Sequence, residues 1–307
     1  MRIDLHTHSS CSDGTDTPSE LLANAAKAEL DVIAITDHDT TAGWDAAASA
    51  GERYGVRVVP GAEISCRFGG RGGIQVHLLA YGFDRGAAEF AAERAMLRDD
   101  REHRAELITE RCRELGAPIT WEQVQRIARG AAIGRPHVAS ALVEAGVVPS
   151  VDAAFSSLWL ADGGRAYVEK YALDPVHAIR LVRDAGGKTV FAHPAAAKRG
   201  RTVTEAQIAM LADAGLHGLE ADHPDHDEET RERMRALARD LNLVATGSSD
   251  YHGTRKTVVL GQCTTDPEAP LARMLAVELN DAWLESSFLV QFVRRGPQSQ
   301  WTVHNPS

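Results

Sequence analysis

Residues 1–10 read MRIDLHTHSS and residues 31–39 read DVIAITDHD. In the first stretch Ile3, Leu5 and Thr7 alternate with Asp4, His6 and His8, the period of two that a strand imposes, so His6 and His8 project from one face. The second is a short continuous apolar run, the signature of a strand buried on both faces, and it delivers Asp37, His38 and Asp39 just past its end. Two neighbouring imidazoles at a strand end form half of a metal site, whose partners should be His, Asp or Glu at the ends of other strands. The sequence supplies Asp13 in SCSDGT, Glu63 in GAE, His77 in QVHL, His193 in FAHP, and Asp250 and His252 in SSDYH. One His-x-His alone reads as an ordinary surface or core pair. Further acidic and imidazole residues placed after successive apolar runs point to a shared centre.

Working outward, Thr17-Pro18-Ser19-Glu20 has a capping residue, a proline at the first helical position and a glutamate at the third, predicting a helix to about Leu30. A second helix over about 41–54 ends at Gly55, and strands follow over 56–65 and 74–81. Strand alternating with helix is the rhythm of a parallel α/β sheet or barrel. It stops over 84–169, where Phe90, Met96, Leu97, Leu107, Ile108, Cys112 and Leu115 recur at helical spacing. Helices there open at Thr120-Trp121-Glu122-Gln123 and at Arg135-Pro136-His137, so this stretch reads as an all-helical insertion placed to act as a lid or substrate-reading element. The rhythm resumes with strands ending near Ala192, Ala221 and Gly247. The expected organisation is a barrel built from 1–83 and 170–265, interrupted by 84–169. A helix over 271–281 and the tail with FLVQFV at 288–293, both within 266–307, are left without a role.

The chain has 307 residues, a formal net charge of −10 and 44% hydrophobic residues. That charge offers no global basic field to hold a long nucleic acid, so any phosphate must be bound locally. The four cysteines, Cys11, Cys66, Cys112 and Cys263, lack C-x-x-C spacing, which argues against a disulfide framework or a thiolate zinc site and fits a reducing cytoplasm. No apolar signal core or membrane-spanning run is seen, and no membrane partner is expected.

His6, His8, Asp13, His38, Glu63, His77, His193, Asp250 and His252 offer nine N and O donors, more than one zinc or manganese ion uses, so two or three ions are implied, with Glu63 as the natural bridge. Taken alone, His77 reads equally as a satisfied strand histidine, and Asp13 as an Asx-turn residue. Asp37 is assigned to orienting a neighbour and Asp39 to capping the following helix. His223 and His226 in ADHPDHDEE are read as a polar loop before an acid-rich helix start, with Asp222 a little closer to the site.

The pattern His6-Thr7-His8 with Asp13, Thr36-Asp37-His38, Glu63, His77, Phe191-Ala192-His193-Pro194 and Ser249-Asp250-Tyr251-His252 resembles the polymerase and histidinol phosphatase (PHP) family. The resemblance implies a distorted (β/α)7 TIM-like barrel with a trinuclear centre of manganese, iron or zinc at its mouth. It assigns His6, His8, Glu63 and Asp250 to one ion, Glu63, His77 and His193 to a second, and Asp13, His38 and His252 to a third. Glu63, His193 and Asp250 are then the residues closest to the chemistry.

The helical insertion with Gly134-Arg135-Pro136-His137 is similar to the subgroup acting on small nucleotides. That similarity implies a phosphoesterase removing the 3′-phosphate of 3′,5′-bisphosphonucleosides through a metal-bridged hydroxide. Diester cleavage in short oligoribonucleotides or cyclic nucleotides, histidinol-phosphate hydrolysis and a non-catalytic metal-binding module stand as alternatives. Arg135 is the first candidate for gripping a second phosphate, because a guanidinium offers a two-pronged donor. Lys198 and Arg199 follow the FAHP strand end as phosphate contacts, and Ser9 is a weaker pocket-lining candidate.

Overall fold

The computed structural model describes residues 1–70, 72–130 and 133–275. Seven strands form one sheet in chain order: β1 (Ile3–Thr7), β2 (Val32–Ile35), β3 (Arg57–Phe68), β4 (Ile74–Tyr81), β5 (Lys188–Phe191), β6 (Gly218–Asp222) and β7 (Val244–Gly247). A backbone bridge from Thr7 to Tyr251, with the His8 amide donating to the Tyr251 carbonyl at 2.9 Å, draws the two edges together into a nearly closed barrel.

Two departures from strict alternation matter for the site. First, β4 runs antiparallel to both β3 and β5, so its mouth-facing end is its beginning. His77 therefore sits early in its strand, opposite Ser65, whereas His6 and Glu63 lie within β1 and β3 and His8, His38, His193 and Asp250 follow strand C-termini. The direct hairpin from β3 to β4 is the reason: without a crossover helix, neighbouring strands must be antiparallel. Second, the pairing of β1 with β2 slips by one residue between Asp4 and Thr7. An extra residue of this kind breaks the period of two. Leu5 joins the apolar cluster with Val32, Ala34, Val59, Leu79 and Val190, while His6 and His8 still turn to the mouth.

The surrounding helices begin as their sequences dictate. Helix α1 (Pro18–Lys27) starts with a capping box, Thr17 accepting from the Glu20 amide and Glu20 reaching back. Its Leu21, Leu22 and Ala25 bury against Ile33 and Ile35. Helix α2 (Trp44–Tyr54) ends at Gly55, whose φ of 69° is the left-handed stop that glycine supplies without strain.

Helices α3 (Ala88–Glu114), α4 (Trp121–Ala128), α5 (Arg135–Glu144) and α6 (Val151–Ala154) follow with no strand between them, and Ile108, Cys112, Val124, Val138 and Leu142 gather in a cluster of their own. Helix α3 buries Phe90 and Leu97 in the main core and adds contacts from its arginines. Arg94, Arg98 and Arg104 donate to the carbonyls of Arg85, Asp39 and Val168, and Arg101 pairs with the Asp39 carboxylate.

Helices α7 (Pro175–Asp184), α8 (Glu205–Asp213) and α9 (Glu228–Asp240) complete the jacket, and α10 (Pro270–Arg273) packs Leu271 and Ala272 into the barrel interior. Residues 276–281 of the expected helix and the 288–293 patch lie outside the described residues. No helix among those described is long and apolar enough to cross a membrane.

Candidate metal centre

Three carboxylates organise the barrel mouth. Glu63 on β3 is buried, with Oε2 lying 3.3, 3.1 and 3.2 Å from His6 Nε2, His8 Nε2 and His38 Nδ1. Its Oε1 lies 2.7 Å from His77 Nδ1 and 3.1 Å from His193 Nε2. Asp250 turns Oδ1 inward, 3.4 Å from His6 Nε2, 3.3 Å from His8 Nε2 and 3.4 Å from His252 Nδ1. Asp13 faces His8 Nδ1 at 3.7 Å, His252 Nε2 at 3.4 Å and His38 Nε2 at 3.8 Å. All nine donors named from the sequence thus meet at one rim.

These residues suit divalent ions. Three groups have ligand atoms within 4.8 Å of one another: His8, Asp13, His38 and His252; His6, His8, Glu63 and Asp250; and His38, Glu63 and His77. His193 touches Glu63 but stands outside the third group, where His38 takes the place the resemblance gave it. Nδ1 of His8, His38 and His77 is buried and makes no aligned hydrogen bond, even where Glu63 oxygens lie 3.2 and 2.7 Å from the last two, although such atoms are ordinarily satisfied. The nitrogens His6 Nε2 and His8 Nε2 also approach to 3.1 Å, a contact that a shared cation resolves.

The electrostatics agree. Burial opposes charge on His8, yet Asp250 and Glu63 hold its pKa up at about 9. Burial, then the Arg199 guanidinium, press His193 down to about 3, and burial with Lys256 takes His252 to about 4. Despite burial, Glu63 is held well below the usual carboxylate range by His38, His77 and His6. Ionised carboxylates around the neutral His193 and His252 are the state a transition metal requires, while His8 and His6, held protonated by their carboxylates, would give up a proton to an ion.

Local sequence fixes these positions. Asp37 accepts from the Ser9 amide at 2.8 Å, the Ser9 hydroxyl at 2.6 Å and the Ser12 hydroxyl at 2.6 Å, bracing the loop that carries Asp13. Gly14 packs its Cα on the His8 carbonyl, where a Cβ would sit 2.6 Å from that oxygen. Ser9 is fully buried and spends its hydroxyl on Asp37, which corrects its reading as a pocket-lining residue. Asp39 does not cap α2, whose N-cap is Gly43. It accepts instead from the Ser65 amide and hydroxyl, each at 2.8 Å, and from Arg101 Nε at 2.5 Å.

The substrate candidates divide. Arg199 reaches the centre, giving Nη2 to Asp250 Oδ2 at 2.6 Å and Nε to Asp225 at 2.7 Å, while Lys198 is exposed on the same turn. Arg135 pairs with Asp162 at 2.7 Å and donates to the Leu160 carbonyl at 3.0 Å.

Several residues at the mouth escaped the sequence reading. His223 is buried 3.4 Å from Asp250 Oδ2, and His226 is a buried strut between the Ala195 amide and the Ala221 carbonyl, so neither belongs to a solvated loop. Lys256 Nζ holds Asp250 Oδ2 at 2.8 Å. Lys170 Nζ lies 3.1 Å from Ser65 Oγ and 3.5 Å from His77 Nε2, with Arg101 Nη2 2.8 Å from the same hydroxyl. Burial and the Arg101 charge press Lys170 down to about 7. Glu220, fully buried on β6, accepts from His6 Nδ1 at 3.0 Å. A lone glutamate inside the apolar run HGLEA was the available signal for Glu220; the lysines and Arg101 left none.

The model of the PHP domain matches residues 4–115. Among curated proteins, a phosphoribosyl 1,2-cyclic phosphate 1,2-diphosphodiesterase of Eggerthella lenta is 35% identical over 257 residues, covering 82% of this chain and 95% of its own. A 3′,5′-nucleoside bisphosphate phosphatase of Chromobacterium violaceum is 32% identical over 258 residues, covering 81% and 87%. Among solved structures, a putative metal-dependent phosphoesterase from Bifidobacterium adolescentis superposes with a TM-score of 0.83 at 34% identity, covering 90% of this chain and 96% of that one.

Proposed function

Because this chain belongs to the PHP family of metal-dependent phosphoesterases, we propose that it hydrolyses the 3′-phosphate of 3′,5′-bisphosphonucleosides at this centre, using two to three manganese, iron or zinc ions. In this reading the first ion is held by His6, His8, Glu63 and Asp250, and the second by Glu63 and His77 with His38 or His193. The third is held by Asp13, His38 and His252, with His8 nearby. Bound divalent ions supply Lewis acidity to a phosphoryl group and bring a water's pKa toward neutrality.

The chain's own residues do the remaining work. Arg199 and Lys256 occupy the outer oxygen of Asp250 and leave Oδ1 aimed inward. The second phosphate falls to the insertion side, where the Arg101 and Arg135 charges lie close enough to press on Arg104 and Lys170. One observation carries this assignment: with its Nε on the Val168 carbonyl and its guanidinium over the Tyr167 ring, Arg104 still has a buried Nη2 with no hydrogen-bond acceptor, an arrangement that costs about 1–3 kcal/mol unless one arrives. An anionic group on the substrate is that acceptor. Fixing the nucleotide at both ends aligns the ester for attack.

A second reading, hydrolysis of a cyclic or short-chain phosphodiester, draws on the Eggerthella relative and on Arg199 and Lys256. Both cations sit beside Asp250, where they add positive charge that a continuing chain could use. An activity panel of mono-, bis- and diesters separates the two. Lys170→Met and Arg135→Ala are expected to raise KM for bisphosphates while leaving simple monoesters near wild type. Equal loss on every ester would contradict the placing of the second phosphate.

A further inference from the structure

We infer that Glu220 is a positioning residue of the metal centre: its one carboxylate fixes the tautomer of His6 and the backbone of His193, so that donors from two strands present to the ions together. The inference rests on the metal-centre reading and adds a residue outside the donor set.

Four observations carry it. Glu220 Oε1 lies 3.0 Å from His6 Nδ1, the nitrogen facing away from Glu63 and Asp250. An ionised carboxylate only accepts, so His6 must carry its proton on Nδ1 and turn the lone pair of Nε2 to the centre. The same Oε1 accepts from the Ser248 hydroxyl at the end of β7. Glu220 Oε2 accepts from the His193 amide at 2.6 Å. His193 has a φ of 32°, a left-handed conformation that costs a residue other than glycine energy and persists only where its surroundings impose it. The bond from Oε2 is such an imposition, and it aims the His193 ring at Glu63 Oε1. Glu220 is held in turn by burial and by a register slip between it and Asp222 in the pairing of β6 with β7.

Glu220→Gln tests this with little change of shape. A carboxylate serves three donors here, whereas an amide has one acceptor oxygen. Facing His6, the amide sets its NH2 against the His193 amide; turned over, it donates to His6 Nδ1 and moves that ring's proton to Nε2, where an ion should bind. Either orientation is expected to weaken divalent-ion binding by roughly 10- to 100-fold. The measurement is titration of the metal-free chain with Mn²⁺ and Zn²⁺ against a competing chelator, with no substrate present. Ser248→Ala, which leaves both critical bonds, should bind within about 3-fold of wild type.

In the zinc-loaded wild-type chain, ¹⁵N NMR of His6 should show Nδ1 protonated, a result that does not depend on any variant folding. Wild-type affinity in a folded Glu220→Gln protein, or His6 bearing its proton on Nε2, overturns the inference. A wild-type chain that binds neither ion defeats the metal-centre reading itself, so the two failures are distinct.

Discussion

Replacing Arg101 with methionine isolates the contact that locks the helical insertion to the metal rim. The Asp39 side chain is fully buried and Arg101 is 12% exposed, with Nε 2.5 Å from Oδ2. Removing one partner of a buried ion pair costs about 3–5 kcal/mol, because the charge left behind is uncompensated. Asp39 keeps the Ser65 amide and hydroxyl, so the lower end of that range, about 3 kcal/mol, is the expected loss. Urea unfolding of the metal-free chain, followed by circular dichroism, measures it. Adding Asp39→Asn to Arg101→Met removes the stranded charge and should recover about 2 kcal/mol of the loss, a coupling typical of neighbours in one network. If Arg101→Met unfolds within about 0.5 kcal/mol of wild type, as a surface substitution would, the pair is not what docks α3 to β3. The same follows if the second substitution brings no recovery.

Other consequences follow from the same geometry. Glu63→Gln removes the charge that five imidazoles face; turnover should be lost and ion affinity should fall by more than the roughly 10- to 100-fold typical of outer partners, with an unchanged far-ultraviolet circular dichroism spectrum. His137, buried at the start of α5 with Nδ1 accepting from the Gly134 amide, is pressed down to about 4, chiefly by burial and then by Arg255. Its unfolded value is near 6.5, so below that pH the unfolded chain takes up a proton that the folded chain refuses. His137 alone should therefore take about 2 kcal/mol from the pH 7 stability by pH 5, in addition to what His193 and His252 take. His137→Asn, which retains an acceptor for Gly134, should flatten that slope in denaturant titrations at the two pH values. An unchanged slope would place the acid sensitivity elsewhere.

Much of this architecture was legible because short-range chemistry and long-range geometry agree. The capping box at Thr17, the left-handed stop at Gly55 and the apolar run before Asp37 each define an element locally, and donors placed after strand ends converge once the sheet curls. What was not legible depends on partners distant in sequence. The reversal of β4 and the bulge in β1 follow from strand pairing, which period alone does not encode. Ser9 and Asp39 looked available for a pocket and a helix cap; Asp37 and Ser65 with Arg101 claim them only in the folded chain. Lys170 and Arg101 sit in helical or irregular stretches crowded with charge, where nothing local marks a side chain that turns inward. Glu220 differs from them: a glutamate within an apolar strand was a local sign, one the sequence reading passed over.

The most direct test is elemental analysis of anaerobically purified chain, paired with phosphate release from a 3′,5′-bisphosphonucleoside before and after chelation. The expected result is two to three equivalents of manganese, iron or zinc per chain, with release that stops on chelation and returns when the ion is restored. A folded chain that holds no transition ion, and whose behaviour toward the ester is indifferent to adding one, would contradict the account.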